Sequence, residues 1–385
     1  MESVKKYLQG DLVIWVIAGL LSLFSMLTVY STTGSLAFKY KGGNTEAYLV
    51  ERFLFMIAGF GVMFLIQKVK YTVFSKVAKL LLFISIPLLF LTLVMGSRIN
   101  DASRWLTIPG LPISFQTSDL AKLALIVYVS SFLAKRQDEI DDLKRTFIPV
   151  LIPILAVCFL IFPANFSTAA MLFFICVLIM FVAGVQIKHL LAMTGIMVFA
   201  GAIFVLVLAN VPGSRVATWK ARIENFSDGK NADNYQAEQA KMAIANGRFL
   251  GTGPANNPNK YFLPQSYSDF IYAMIIGEYG FFGGFVVLFC YLILLYRAYR
   301  IASKTKLAFA ILLSIGLSLM LTVQAFINMA VAVNLFPVTG QPLPLVSMGG
   351  TGTLFTSLAL GMMLSVSRTV IDNPVSDSNS EKNEA

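Results

Sequence analysis

The sequence predicts an all-α polytopic membrane protein: ten transmembrane helices, with one long extracytoplasmic loop between spans seven and eight. Three observations carry this class. Side chains are 57% hydrophobic and only 13% charged over 385 residues, and the mean hydropathy is +0.74, too apolar for a soluble chain of this length. Apolar runs of about 20 residues, enough to cross a bilayer, recur from end to end and leave no room for a separate soluble catalytic domain. Lysine and arginine fall unevenly between the two sets of connecting loops, as they do when loops alternate between the sides of a membrane. Any chemistry therefore sits at or in the membrane.

The ten runs are residues 12–30, 50–66, 77–94, 120–134, 147–162, 168–185, 190–209, 270–296, 307–333 and 351–366. Together they make one membrane domain, 1–370, with the long loop at 210–268 and a polar tail, 371–385, that is expected to be disordered. The first run follows Lys5 and Lys6 as a secretory signal would, but it is long and no small-x-small cleavage site follows it, so it is expected to be a retained span. An even number of spans puts both termini on one side. Seventeen basic residues, among them Lys68, Lys70, Lys135, Arg136, Lys188, Arg297 and Lys304, lie on that side, against Lys39, Lys41, Arg52, Arg98 and Arg104 in the short loops opposite. The termini are therefore expected in the cytoplasm. The net charge of +10 follows from this topology, so nucleic acid need not be invoked as a partner.

Several chemistries are excluded at once. Cys158, Cys176 and Cys290 fall inside apolar runs without metal-type spacing and read as buried small hydrophobes, with no disulfide expected. His189 is the only histidine, which removes Ser-His-Asp triads and HExxH helices. No glycine-rich phosphate loop is present, so no nucleotide or organic cofactor is expected.

What remains is a short set of polar residues at span ends. Lys122 lies just inside the fourth span, where an unpaired ammonium is expensive; Asp119, three residues earlier, shares its helical face. A structural ion pair and a site role are both open for them. Arg104 belongs to SRWLTIPG, read as an ordered turn against the outer interface, with Trp105 at the head-group level. The 210–268 loop carries seven basic residues against four acidic ones, either a solvated loop or an electropositive funnel for an anionic lipid head group. Within it, 235–245 has helical spacing, whereas 251–259 is turn-rich. The 334–350 loop, NLFPVTGQPLPLVSMGG, has no charge, three prolines and three glycines. Such irregular backbone at membrane depth is tolerated only beside protein or a water-filled cavity. Behind Gly349 and Gly350 the last helix would point free N–H groups outward, an anion site in principle.

The sharpest feature is 261–284, YFLPQSYSDFIYAMIIGEYGFFGG, where a polar loop meets an apolar helix at Asp269. Asp269 is first a helix N-cap candidate; the alternative is a general base or cation ligand at the outer mouth. Glu278, about 13 Å further along the helix by its rise, is a separate intramembrane acid that needs its own partner.

This stretch resembles the SEDS family of peptidoglycan glycan-strand polymerases, the FtsW/RodA type. The family pattern LPExxTDFIFAxxGEExGFxG is matched at Leu263, Pro264, Asp269, Phe270, Ile271, Ala273, Gly277, Glu278, Gly280, Phe281 and Gly283. Its arginine-tryptophan turn and QPSExAKL element resemble Arg104, Trp105 and Gln116, Ser118, Asp119, Ala121, Lys122, Leu123. Its PxxGxxLPFxSYGG loop is matched at Pro337, Gly340, Leu343, Pro344, Ser347, Gly349 and Gly350. Departures are Gln265 for glutamate, Thr117 and Asp119 for proline and glutamate, Met348 for tyrosine, and PANFST at 163–168 for QPDxGT. GDLVIW at 10–15, with Ser31, looks more like division-type members than elongation-type ones.

The resemblance implies lipid II and an undecaprenyl-pyrophosphate-linked glycan as substrates in the bacterial inner membrane, with the site facing the periplasm. It implies Asp269 as general base, and pyrophosphate contacts from Arg104, Lys122, Lys260, Arg248, the last helix N-terminus with Ser347, Gly349 and Gly350, and a divalent cation (Mg or Mn) as a further candidate. Asp119 and Glu278 are carried as site residues beside them. A class B penicillin-binding protein transpeptidase and other division proteins are the implied partners. An elongation polymerase of the RodA type, a lipid II flippase or transporter, and a non-catalytic division scaffold are the alternatives.

Overall fold

The computed structural model describes residues 8–40, 42–99, 102–107, 114–209, 216, 218–220 and 235–372. The helices are α1 (Leu12–Thr32), α2 (Gly34–Tyr40), α3 (Thr45–Ile66), α4 (Tyr71–Met95), α5 (Thr117–Ala134), α6 (Ile148–Ile161), α7 (Phe166–Val182), α8 (Ile187–Ala209), α9 (Tyr235–Gly247), α10 (Ile271–Ala302), α11 (Ala308–Ala332) and α12 (Gly350–Asp372). Among the described residues nine helices are long and apolar enough to cross a bilayer, and α7, at 17 residues, is a shorter apolar helix. The chain is a predominantly helical polytopic membrane protein. Most helices extend past their apolar runs; in α3 a polar cap does this, since Asn44 accepts from the Ala47 amide at 3.0 Å and starts the helix ahead of the run at 50. The 210–268 loop is described only in part, and there the expected helix appears as α9, followed by turns and the 3₁₀ turn Pro258–Tyr261. Of the polar tail, everything after 372 lies outside the described residues. Cys158, Cys176 and Cys290 are free and buried.

Between α4 and α5 the sequence reading needs correction. Residues 108–110 of the SRWLTIPG segment, with Pro109 and Gly110 of the expected turn, lie outside the described residues; the rest belongs to Ala102–Thr107, the middle strand (β2) of a three-stranded antiparallel sheet, between Ser97–Ile99 (β1) and Ser114–Gln116 (β3). Trp105 pairs with both Ser97 and Gln116. Too few alternating residues separate the turn signals for this pattern to read as strand. β3 runs directly into α5, so the sheet aims the first turn of that helix.

α5, α11 and α12 are the most buried spans, 67% each, whereas α8 is 17% buried. Helices in a bilayer gain little from apolar burial against one another, so close backbone approach and polar contacts decide their packing. Gly59 of α3 shows the first: a Cβ there would sit 2.5 Å from the Ser357 hydroxyl of α12. The Asp11–Arg297 ion pair shows the second, with Arg297 Nε 2.6 Å from Asp11 Oδ2 while Asp11 Oδ1 caps α1 through the Val13 amide.

α10 is broken in its upper third. Gly280 has φ +68 and ψ −172, a conformation that only glycine adopts without strain. The break frees carbonyls, and the 247–253 loop takes them: Thr252 N donates to Gly277 O (3.1 Å), Gly253 N to Glu278 O (3.0 Å), and Phe281 N donates to Arg248 O (3.3 Å). A methyl at Gly280 would lie 2.0 Å from the Phe249 carbonyl oxygen. Gly280→Ala is therefore expected to destabilise the fold by more than about 1–2 kcal/mol. Thermal unfolding in detergent should show a lower midpoint than wild type.

Candidate active site at the Asp269 junction

Residues 262–270 form a run of tight turns in front of α10. Gln265 organises it from the backbone. Its φ is +58, and its carbonyl accepts from both Ser268 N (3.0 Å) and Phe270 N (3.3 Å). The N-cap of α10 is Phe270, with no side-chain cap bond. The capping reading of Asp269 is thus corrected: the helix starts at Ile271, one residue later than an Asp269 N-cap requires, and the Gln265 carbonyl, not a side chain, takes the Phe270 amide. The half-buried Asp269 carboxylate instead accepts from the Ser268 hydroxyl at 3.0 Å.

The segment is held by its carbonyls. Tyr267 O accepts from Met348 N at 2.9 Å, Ser268 O from Ser347 Oγ at 2.6 Å, and Asp269 O from Asn328 Nδ2 at 2.8 Å. Three successive peptide groups are fixed by α11 and by the irregular loop after it. Ser347 is fixed in turn, since its hydroxyl accepts from Leu343 N at 2.7 Å.

Ser347 also lines a cavity of about 50 Å³ with Asp119, Lys122, Gln324, Gly349 and Gly352. The expected Asp119–Lys122 pair is present at 2.8 Å, with side chains 13% and 7% exposed. Lys122 also donates to Gln324 Oε1 at 3.0 Å, and Gln324 Nε2 donates to Pro342 O at 2.9 Å. Asp119 Oδ2 lies against Gly352 in the first turn of α12, where a carboxylate also meets the positive end of the helix dipole. Gly350 starts α12 but faces the Phe55 ring, outside the cavity lining.

Arg52 is the residue that sequence reasoning misplaced. Counted there as a short-loop cation, it is 2% exposed inside α3. Its guanidinium donates to Ser25 Oγ (2.8 Å), Thr353 Oγ1 (2.7 Å), Gly349 O (3.2 Å) and Leu345 O (2.5 Å). Three of these acceptors belong to residues that line the cavity. No carboxylate pairs with it among the described residues. The signal was available, an arginine two residues inside an apolar run, as it was for the buried amides Gln324 and Asn328 in the run 307–333.

Glu278 forms a second cluster. Glu278 is 1% exposed and its carboxylate accepts from the Ser31 hydroxyl of α1. Lys260 donates to Ala255 O at 2.6 Å and lies over the Tyr261 ring. The Arg248 side chain is exposed, and the Arg104 side chain lies outside the described residues. Among the described residues no three His, Cys, Asp or Glu side chains converge, and Gln265 offers a neutral amide where the related pattern has glutamate. A dedicated all-protein cage for a divalent cation is therefore absent among the described residues, whereas magnesium held by one carboxylate and substrate phosphates would not need one.

Fold and site together define a polytopic membrane protein with one positioned carboxylate beside a cationic polar cavity. A family profile described as cell cycle protein, FTSW_RODA_SPOVE, matches residues 11–371. The chain belongs to this FtsW/RodA/SpoVE family. It is 30% identical over 369 residues to the probable peptidoglycan glycosyltransferase FtsW of Geobacter sulfurreducens, covering 95% of this chain and 97% of that one. It is also 30% identical over 362 residues to the stage V sporulation protein E of Bacillus subtilis, covering 93% and 97%. Among solved structures, one described as "Structural coordination of polymerization and crosslinking by a peptidoglycan synthase complex" shares the fold at a TM-score of 0.72 and 23% identity, covering 94% of this chain and 99% of that one.

A buried pair broken from one side leaves an uncompensated charge. Lys122→Met is expected to destabilise the protein by about 3 kcal/mol, and the double variant Asp119→Asn with Lys122→Met by clearly less. Unfolding midpoints of Lys122→Met and the double variant against wild type in one detergent check this.

Proposed function

We propose that this chain polymerises the glycan strands of peptidoglycan at the division septum, joining lipid II to a growing glycan carried on undecaprenyl pyrophosphate. The observation that carries the reading is the Asp269 carboxylate, borne on a segment whose three successive carbonyls are immobilised. Family membership and relatives named peptidoglycan glycosyltransferase support the same reaction class.

In this mechanism the carbon 4 hydroxyl of the acceptor GlcNAc attacks the anomeric carbon of the donor MurNAc. The new C–O bond forms as the bond from that carbon to the pyrophosphate oxygen breaks, with inversion. Asp269 takes the hydroxyl proton, and undecaprenyl pyrophosphate leaves with the bonding electrons. Such a leaving group needs charge stabilisation and no proton donor, so one carboxylate suffices where a glycosidase needs two. The charge comes from the cavity. Lys122 and Asp119 nearly cancel, but Arg52 adds a buried positive charge through the Leu345 and Gly349 carbonyls, and the α12 N-terminus adds its dipole. Arg104, Lys260 and Arg248 are further cations of the same face.

The excess of basic residues in the loops on the terminal side supports cytoplasmic termini in the bacterial plasma membrane, with Asp269 facing the periplasm where lipid II arrives. Peptide cross-linking would fall to a partner, a class B penicillin-binding protein transpeptidase, within the division assembly. General-base catalysis contributes about 10²–10⁴-fold, so Asp269→Ala should lose at least that much polymerisation of labelled lipid II while keeping its melting temperature. Long glycan made at the wild-type rate by the folded variant would overturn the base assignment. Lipid II flux in liposomes without any polymer would instead identify a flippase.

A further inference from the structure

Asn328 is a polar residue near the C-terminal end of the apolar helix α11. It is 1% exposed, and its side chain is assigned an unusual task. Nδ2 donates both protons to backbone carbonyls, Asp269 O and Gln341 O, each at 2.8 Å. Two carbonyl acceptors can be satisfied only by the amide nitrogen, so the orientation of the side chain is forced. The consequence is an orphan: Asn328 Oδ1 is buried with no hydrogen-bond partner among the described residues.

An unmatched buried acceptor costs stability. If α11 needed only packing at this position, an apolar side chain like its neighbours would serve better. The amide is worth that cost only for the two bonds it donates. One of them fixes the backbone of Asp269, at a helix start that has no side-chain cap of its own.

The second bond extends the support. Gln341, 3% exposed, donates from Nε2 to Thr168 Oγ1 at 2.5 Å. Thr168 sits in the first turn of α7, where its amide is capped by Asn165 Oδ1 at 3.3 Å. Asn165 and Thr168 belong to the PANFST stretch, to which no role has yet fallen. A continuous buried chain therefore runs from the start of α7 through Gln341 and Asn328 to the peptide that bears the carboxylate.

We propose that Asn328 is a positioning residue for Asp269, and that Gln341 and Thr168 form the relay that holds Asn328 in place. The proposal rests on the reading of Asp269 as general base. A displacement of about 1 Å of a catalytic group costs up to about 10²-fold in rate. Asn328 is not one of the cavity-lining residues and its Nδ2 donates to backbone carbonyls, so its loss should move the chemical step and not substrate binding.

The experiment is glycan polymerisation by the full-length protein with labelled lipid II, with direct lipid II binding and melting temperature measured on each variant. Asn328→Ala is expected to lower kcat about 10–100-fold, with KM and lipid II affinity within about twofold of wild type. Thr168→Val, which keeps the side-chain shape and removes the acceptor, is expected to lower kcat in the same direction by less. It carries the test if Asn328→Ala does not fold. Wild-type kcat in both variants would overturn the proposal. So would a loss in which KM rises while lipid II affinity and melting temperature fall with kcat, since that marks a structural role. Asp269→Ala, run in parallel, separates the two ideas. If it is silent while Asn328→Ala and Thr168→Val are fully active, only the relay fails. If it polymerises at the wild-type rate, the base reading itself fails and takes the relay with it.

Discussion

Three consecutive carbonyls, those of Tyr267, Ser268 and Asp269, are bound by Met348, Ser347 and Asn328, and the rest of the site depends on that constraint. A loop of turns in front of a transmembrane helix would otherwise be free to pivot about its unsatisfied peptide groups. Water can satisfy such groups at a surface, but in a largely apolar bundle the partners must come from protein. Here they come from α11 and from the irregular loop between α11 and α12. That loop has its prolines and glycines because its backbone must face inward at several points and cannot be regular while doing so.

The same loop is the meeting point of the charges. Arg52 reaches it from α3 and donates to two of its carbonyls, Leu345 and Gly349. Gln324 reaches it from α11 at Pro342 and passes on to Lys122 and Asp119 of α5. With Ser25 of α1 and Thr353 of α12 also bound to Arg52, five helices and one loop share a buried polar network whose net charge is positive. In a low-dielectric setting a buried guanidinium is tolerated only with its donors satisfied, and carbonyls and hydroxyls do so here without cancelling the charge. A region built in this way is suited to an anionic ligand, and the proposed pyrophosphate leaving group fits that description.

Much of this was legible in the chain. The membrane class followed from composition, most of the helices from apolar runs, and the Asp119–Lys122 pair from a spacing of three on one helical face. Asp269 stood out because little else in the chain can do acid–base chemistry. Other features were not legible for identifiable reasons. Arg52 sat near a span end and was absorbed into the charge count of the loops. The Asp269 N-cap was misjudged because capping by a backbone carbonyl, here Gln265, leaves no side-chain signature. The sheet at 97–116 escaped because its strands are too short to show alternation.

What the sequence by itself determined was therefore the inventory: apolar helices of membrane-spanning length, the loops between them, and a short set of ionisable residues that could not be there by default. Hydrophobic periodicity and charge bias are local properties, and a single chain carries them in full. What only the tertiary structure decided was which of those residues meet. Asn328 and Asp269 are 59 residues apart, and Arg52 and Leu345 are 293 apart. Contacts at such separations depend on how helices pack in three dimensions, and no spacing along the chain encodes them.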